Sequence, residues 1–296
     1  KYFTTKLTLS PAGDELTLDF AKALIDNEKL GQDAVPDYLS ISFSSTDYVG
    51  HVFGASSLET EDNLVRLDRT LVDLFAYIDK KVGLENTLIV LSADHGQPEI
   101  PGHLHELGIV NAHYFDTDSL DKTPAIEALK KQFGIGEELI EAYFHPYIYL
   151  NYEQILKKGL DKATVEQAVA SELMKFDGVA YAVSSTALRT NRLPDNLLTR
   201  SILHNFHPKR SGDIYLVFKP NVFINDFDGL TVASTHGSIW RYETYVPVIF
   251  AGAALPAARV NRLVTPYDIA PTLAAYLKMK TPSGAFGMPL QEVLEQ

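Results

Sequence analysis

The 296-residue chain has no cysteine, which removes disulfides and thiolate metal sites at once. Any metal it binds must be held by imidazoles and carboxylates. No run of about 18 apolar residues occurs, so no transmembrane helix is expected. No secretory signal is visible either, and the chain opens at Lys1 in what reads like mid-protein sequence. Positive charge is also scarce: 26 Lys and Arg face 38 Asp and Glu, for a net charge of -12. Such a surface repels nucleic-acid phosphates and argues against non-specific DNA or RNA binding. It would repel a phosphorylated substrate too, unless bound metal ions reversed the field locally.

What remains is an ordinary globular composition, 46% hydrophobic and 22% charged. The length suits two average domains, or one large α/β domain with an insertion. A core of that size needs no structural metal, so a metal site would call for a functional explanation.

Local patterns suggest the order of elements. Leu16 to Asn27 has helical spacing, with Phe20, Ala23, Leu24 and Leu16 on one side. Tyr38 to Phe43 alternates polar and apolar residues as a strand does, and runs into the cap-rich turn Ser44-Ser45-Thr46-Asp47. Leu58 to Val82 reads as a long amphipathic helix, and Thr87 to Leu91 as a buried strand that delivers Asp94-His95-Gly96. Together these predict a right-handed βαβ unit. The middle is less regular, with helices expected at 123–133 and 162–176 and strands at 147–150, 179–183 and 213–219. Near the end, Tyr245 to Gly252 reads as a strand and Thr265 to Leu277 as a helix. The expected organisation is a core α/β segment over 1–113, an α+β insertion over 114–228 and a return to the core over 229–296.

Three groups of residues carry chemistry. Asp47 and His51 are four apart after a predicted strand, so a helical turn would put both on one face. Asp94 and His95 follow another predicted strand, and His236 lies in Ser234-Thr235-His236-Gly237-Ser238. Ligands of open α/β sheets gather beyond the carboxyl ends of strands. Mixed carboxylate and imidazole donors suit catalytic zinc, which commonly takes three protein ligands and keeps a position open. Five ligands complete one such site and leave a second one short. Taken singly, Asp47 and His51 could be a helix cap and a surface histidine, and Asp94-His95-Gly96 a turn. Thr46, Ser92, Ser234 and Thr235 read as caps or supporting hydrogen-bond donors rather than nucleophiles. His103, His105 and His113 could bind an extra metal or form a solvated loop; His204 and His207 read as surface residues, and Trp240 as core.

In combination these motifs resemble the alkaline phosphatase superfamily, in the branch of monomeric bacterial alkaline phosphatases and type I phosphodiesterase/nucleotide pyrophosphatases. The matching stretches are Ser45-Thr46-Asp47-Tyr48-Val49-Gly50-His51, Ser92-Ala93-Asp94-His95-Gly96, Ser234-Thr235-His236-Gly237-Ser238 and Asp268-Ile269-Ala270-Pro271-Thr272-Leu273. Gly284-Ala285-Phe286-Gly287 and Ser10-Pro11-Ala12-Gly13 add to them. The resemblance implies a three-layer α/β/α sandwich around a mixed sheet. It implies two Zn2+ ions, one on Asp47, His51 and His236, the other on Asp94, His95 and a further Asp. It also implies hydrolysis of phosphate monoesters or diesters through a covalent phospho-Thr or phospho-Ser, and a periplasmic or secreted location. No residue here matches the family's nucleophile, its sixth metal ligand or its phosphate-contacting side chains. The chain is therefore expected to be the C-terminal part of a small-molecule phosphohydrolase and to be inactive alone. A non-catalytic metal-binding or interaction domain is the alternative, with sulfatase and cofactor-independent phosphoglycerate mutase as further enzyme possibilities.

Overall fold

The computed structural model describes residues 3–227, 229–253 and 255–295. Lys1, Asp228 and Gln296, which bound the expected segments, lie outside that set. The chain forms two compact units, one from residues up to Gln97 together with those from Tyr245 onward, the other from Pro98–Thr244.

In the first unit, the Pro11–Glu28 helix begins with proline in its first turn and ends at Lys29 in the left-handed region, φ 56°. It buries Asp14, Leu18, Ala21 and Ile25 and packs on the Leu58–Lys81 helix. The expected face is wrong here: Phe20 is 71% exposed and Leu16 52%. Apolar residues occupy both sides of this helix at three- and four-residue spacing, and periodicity alone does not say which side meets a partner. Leu58–Lys81 itself follows its sequence closely. The Ser57 side chain accepts from the Thr60 amide, Glu59 and Glu61 sit in the first turn, and Lys80 and Lys81 in the last.

The strand expected at Tyr38–Phe43 is not formed, and with it goes the first arm of the predicted βαβ unit. The alternation survives as burial: Leu39, Ile41 and Phe43 are half-buried while Tyr38, Ser40 and Ser42 are exposed. A strand also needs a hydrogen-bonded neighbour, and no strand pairing includes this segment among the described residues. The other expected strand is present as Leu88–Ser92. It runs antiparallel to Val248–Gly252, with Leu88 opposite Gly252 and Ser92 opposite Val248, and it is half-buried rather than buried. Downstream, a one-turn 3-10 segment Pro266–Asp268 feeds the Ile269–Tyr276 helix.

The second unit is built on a four-stranded antiparallel sheet, ordered Ile140–Phe144, Tyr147–Leu150, Ile214–Phe218, Val179–Ser184. Its core contains Ile126, Leu139, Ile148, Val165, Leu173, Ile214 and Leu216, contributed in part by the Pro124–Phe133 and Lys162–Leu173 helices. The most deeply buried charged group of this unit lies against this apolar layer. Glu166 is fully buried, and its carboxylate accepts from Ser185 Oγ, the Thr186 amide and Tyr152 Oη. Buried carboxylates are tolerated when they are hydrogen-bonded in this way. A parallel two-residue pairing, His113–Tyr114 with Val222–Phe223, lies outside the main sheet.

Candidate metal centre

The Ser45–Phe53 helix places Asp47 and His51 one turn apart. Asp47 Oδ2 and His51 Nε2 are 3.4 Å apart, and the His51 side chain is almost wholly enclosed. Strong charge-assisted hydrogen bonds run about 2.7–2.9 Å. Ligand atoms sharing a tetrahedral zinc, with bonds of about 2.0–2.2 Å, lie about 3.3–3.6 Å apart. The observed spacing matches the second geometry.

Asp94 and His95 sit in the loop beyond the Leu88–Ser92 strand, as expected of residues that follow the Thr87–Leu91 strand signal. His95 Nε2 is 3.7 Å from Asp47 Oδ1 and 3.6 Å from Asp94 Oδ2. Asp47 therefore offers one carboxylate oxygen to each of two histidines. His95 Nδ1 is 3.0 Å from the Gly96 carbonyl oxygen. An Nδ1–H donated there leaves the Nε2 lone pair for a metal, the usual way a backbone carbonyl fixes a ligand tautomer. Asp94 accepts from the His95 amide through Oδ1 at 3.1 Å and keeps its other oxygen toward the ring.

Glycine lets these elements approach. A Cβ on Gly50 would come within 2.9 Å of the Gln97 side chain, so the ligand helix lies against the segment just after His95. At the start of that helix, the buried Asp14 carboxylate accepts from the Ser45 amide at 3.1 Å. Burial raises the Asp14 pKa, while its bonds to Ser45 and Thr46 pull the other way. Asn63 Nδ2 donates to Thr46 Oγ1 at 2.8 Å. Sequence reading missed Asp14, Asn63 and Gln97, since nothing in their spacing reports the neighbours they meet.

His236 belongs to the second unit, in a loop held by its own surroundings. Ser234 Oγ donates to the Pro98 carbonyl at 3.0 Å, and Thr235 Oγ1 to that of Ile224 at 2.8 Å. The buried Glu243 carboxylate accepts from the Gly237 amide at 2.6 Å, the Ser238 amide at 2.5 Å and Ser238 Oγ at 2.7 Å. Gly237 has φ 117°, and a Cβ there would lie 2.6 Å from the His145 ring; both features require glycine. His145 meets Tyr143 Oη through Nδ1 at 2.6 Å and also bonds the Gly237 backbone. Desolvation lowers its pKa to about 4, so the ring is neutral at pH 7.

The hydroxyls near the ligands are engaged in structural bonds. Thr46, Ser234 and Thr235 are accounted for above, and Ser92 Oγ donates to the Pro247 carbonyl at 2.9 Å. His103 and His105 do not lie in a loop. They sit on the short Pro101–Glu106 helix, where His103 faces Glu106 and His105 Nε2 is 2.6 Å from the Ala112 carbonyl oxygen. Neither they nor His113 join a cluster of three metal-binding groups among the described residues. His204 and His207 are exposed, and Trp240 packs beside Val183 and Ile202 while donating to the Phe218 carbonyl.

The chain belongs to the type I phosphodiesterase / nucleotide pyrophosphatase family, whose model matches residues 2–239. That family lies within the alkaline phosphatase superfamily. Among curated relatives, the alkaline phosphatase PafA of Elizabethkingia meningoseptica is 35% identical over 289 residues, covering 96% of this chain and 51% of the relative. A protein of Myroides odoratus described as a calcium-transporting ATPase is 38% identical over 289 residues, covering 97% of this chain and 52% of its own length. The crystal structure of wild-type PafA matches with a TM-score of 0.86 at 34% identity, over 97% of this chain and 53% of that one. The α/β fold class expected from the sequence is thus established. The chain spans about half the length of these relatives.

Proposed function

We propose that this chain supplies the metal-holding part of a zinc-dependent phosphoric ester hydrolase acting on small phosphorylated molecules. The observation that carries the reading is the Asp47 carboxylate, with His51 and His95 Nε2 atoms at 3.4 and 3.7 Å from its two oxygens. One ion would be held by Asp47, His51 and His236, the last assigned by motif resemblance, and a second by Asp94 and His95. Bound there, two zinc ions would supply charge to neutralise phosphoryl oxygens and to favour an oxyanion over a hydroxyl. The residues themselves orient and desolvate. Burial of His51 excludes water from one side, and the His95–Gly96 contact engages Nδ1 and leaves Nε2 facing the carboxylates.

The reaction fitting this arrangement is hydrolysis of a phosphate monoester or diester by way of a phosphorylated Thr or Ser. No residue of this chain is assigned that nucleophilic role, and the hydroxyls of Thr46, Ser92, Ser234 and Thr235 already hold structural bonds. We therefore expect the purified chain to bind zinc without turning over phosphate esters. Export to the periplasm or beyond belongs to the same reading and rests on resemblance alone. No described helix is long and apolar enough to cross a membrane.

Zinc titration by calorimetry, paired with assays on p-nitrophenyl phosphate, its bis-ester and the aryl sulfate, tests this. The expected result is one tighter and one weaker zinc, the tighter abolished by Asp47→Asn and by His236→Ala, the weaker by His95→Ala. Two equally tight ions, or brisk turnover by the chain alone, would overturn the assignment.

A further inference from the structure

We propose that Asp14 and Asn63 are positioning residues for the metal centre, clamping the first turn of the helix that carries Asp47 and His51. This rests on the reading of those two side chains as metal ligands. The first four amides of any helix lack intrahelical acceptors, and in most helices the preceding residue's own side chain supplies one. Here the N-cap residue, Ser44, makes no side-chain cap bond. The acceptor comes instead from 31 residues upstream: Asp14 Oδ1 takes the Ser45 amide.

That acceptor is itself fixed. Asp14 is 2% exposed and lies in the first turn of the Pro11–Glu28 helix. The residue before it has no side chain, and a Cβ on Gly13 would stand 2.3 Å from Ser45 Oγ. The two helix starts therefore meet closely, and a side chain at residue 13 would displace the Ser45 hydroxyl. From another direction, Asn63, 1% exposed on the Leu58–Lys81 helix, donates to Thr46 Oγ1. Two buried polar side chains from two different helices thus grip successive residues, Ser45 and Thr46, immediately before Asp47.

The consequence is geometric. A helix can rotate about its axis or slide along it with little change in its apolar contacts, and either motion would carry Asp47 away from His95 while leaving its spacing to His51 intact. Two directional bonds at one end remove both freedoms. Asp47 is the residue that must address two histidines at once, so its helix is the one whose register matters. A buried carboxylate left with a single role of stabilisation would be an expensive choice.

The test is zinc binding by the purified chain, with Co2+ absorption as a report on ligand geometry. Asp14→Ala is expected to weaken the tighter zinc about 10–100-fold, the range seen when supporting partners of metal ligands are removed, and to change the Co2+ visible spectrum. Asp14→Asn, whose amide oxygen can still accept from Ser45, is expected to recover most of that affinity. Asn63→Ala, which leaves the Asp14 bond in place, is expected to give a smaller loss of the same kind, and it serves if Asp14→Ala does not fold. If the alanine variants lose thermal stability but keep wild-type zinc affinity and Co2+ spectrum, the positioning role is wrong. If the wild-type chain itself binds neither metal, the metal-centre reading falls, and this proposal with it.

Discussion

His145 shows how one side chain can be held in a defined protonation state by its setting. It meets Tyr143 Oη through Nδ1, and its ring lies against Gly237 and stacks parallel to Phe218 at 6.4 Å. Desolvation lowers its pKa from 6.5 to about 4. The unfolded chain then takes up a proton that the folded chain refuses between those two values. Stability is full above about pH 6.5, falls as pH drops toward 4, and loses nothing more from this group below it. The shift corresponds to roughly 3–4 kcal/mol. Urea unfolding of the wild type and His145→Gln, measured with a chelator present to keep metals out, should show that slope in the wild type and a shallower one in the variant. Equal slopes would mean that the ring is not shielded as described. Sequence reading did not single out this histidine. Nothing in Phe144-His145-Pro146-Tyr147 announces that the ring will lie under a glycine 92 residues later, whereas Asp47 and His51 announce each other by a spacing of four.

At the scale of elements, the same distinction recurs. Elements whose evidence is local were foreseeable: the Leu58–Lys81 helix from its stripe and end charges, the Tyr147–Leu150 strand from its β-rich run, the Lys162–Leu173 helix from its Asp161 cap. The Tyr38–Phe43 strand was not, because its local alternation is real but a ladder partner is non-local information. The buried face of Pro11–Glu28 failed for the same reason. Packing between elements also sets an expectation at Gly50. Glycine inside a helix costs about 1 kcal/mol relative to alanine, so Gly50→Ala should stabilise the isolated helix by that amount. Against it, the new methyl would meet the Gln97 side chain at 2.9 Å, and relief requires that side chain to move. The expected outcome is a melting temperature within a few degrees of wild type and zinc affinity at the Asp94/His95 site reduced several-fold. A variant equal to wild type in both would show that the helix and the loop after His95 do not depend on close contact.

For the whole molecule the governing quantity is charge. The proposed metal ligands stand out in the sequence through the four-residue spacing of Asp47 and His51 and the strand signal ahead of Asp94 and His95. The supporting set around them could not, because Asp14 and Asn63 reach partners 31 and 17 residues away in the chain. The sum of charges, by contrast, needs no structure. With 26 basic and 38 acidic residues the chain carries -12, a field that disfavours approach of any phosphate. Two bound dications would reduce this to -8 (−12 + 4), a modest global change but a reversal of sign at Asp47 and His95, where the ions would be the largest local charges. Affinity for inorganic phosphate should therefore depend on zinc rather than on lysine or arginine. Calorimetric titration with phosphate is expected to give no measurable heat in chelator-treated protein and saturable binding in the zinc-loaded chain, weakening as added salt screens the interaction. His95→Ala should reduce that binding along with the second zinc. Phosphate binding that persists in metal-free protein would place the anion on some other cationic group and remove the charge argument for a metal-dependent esterase.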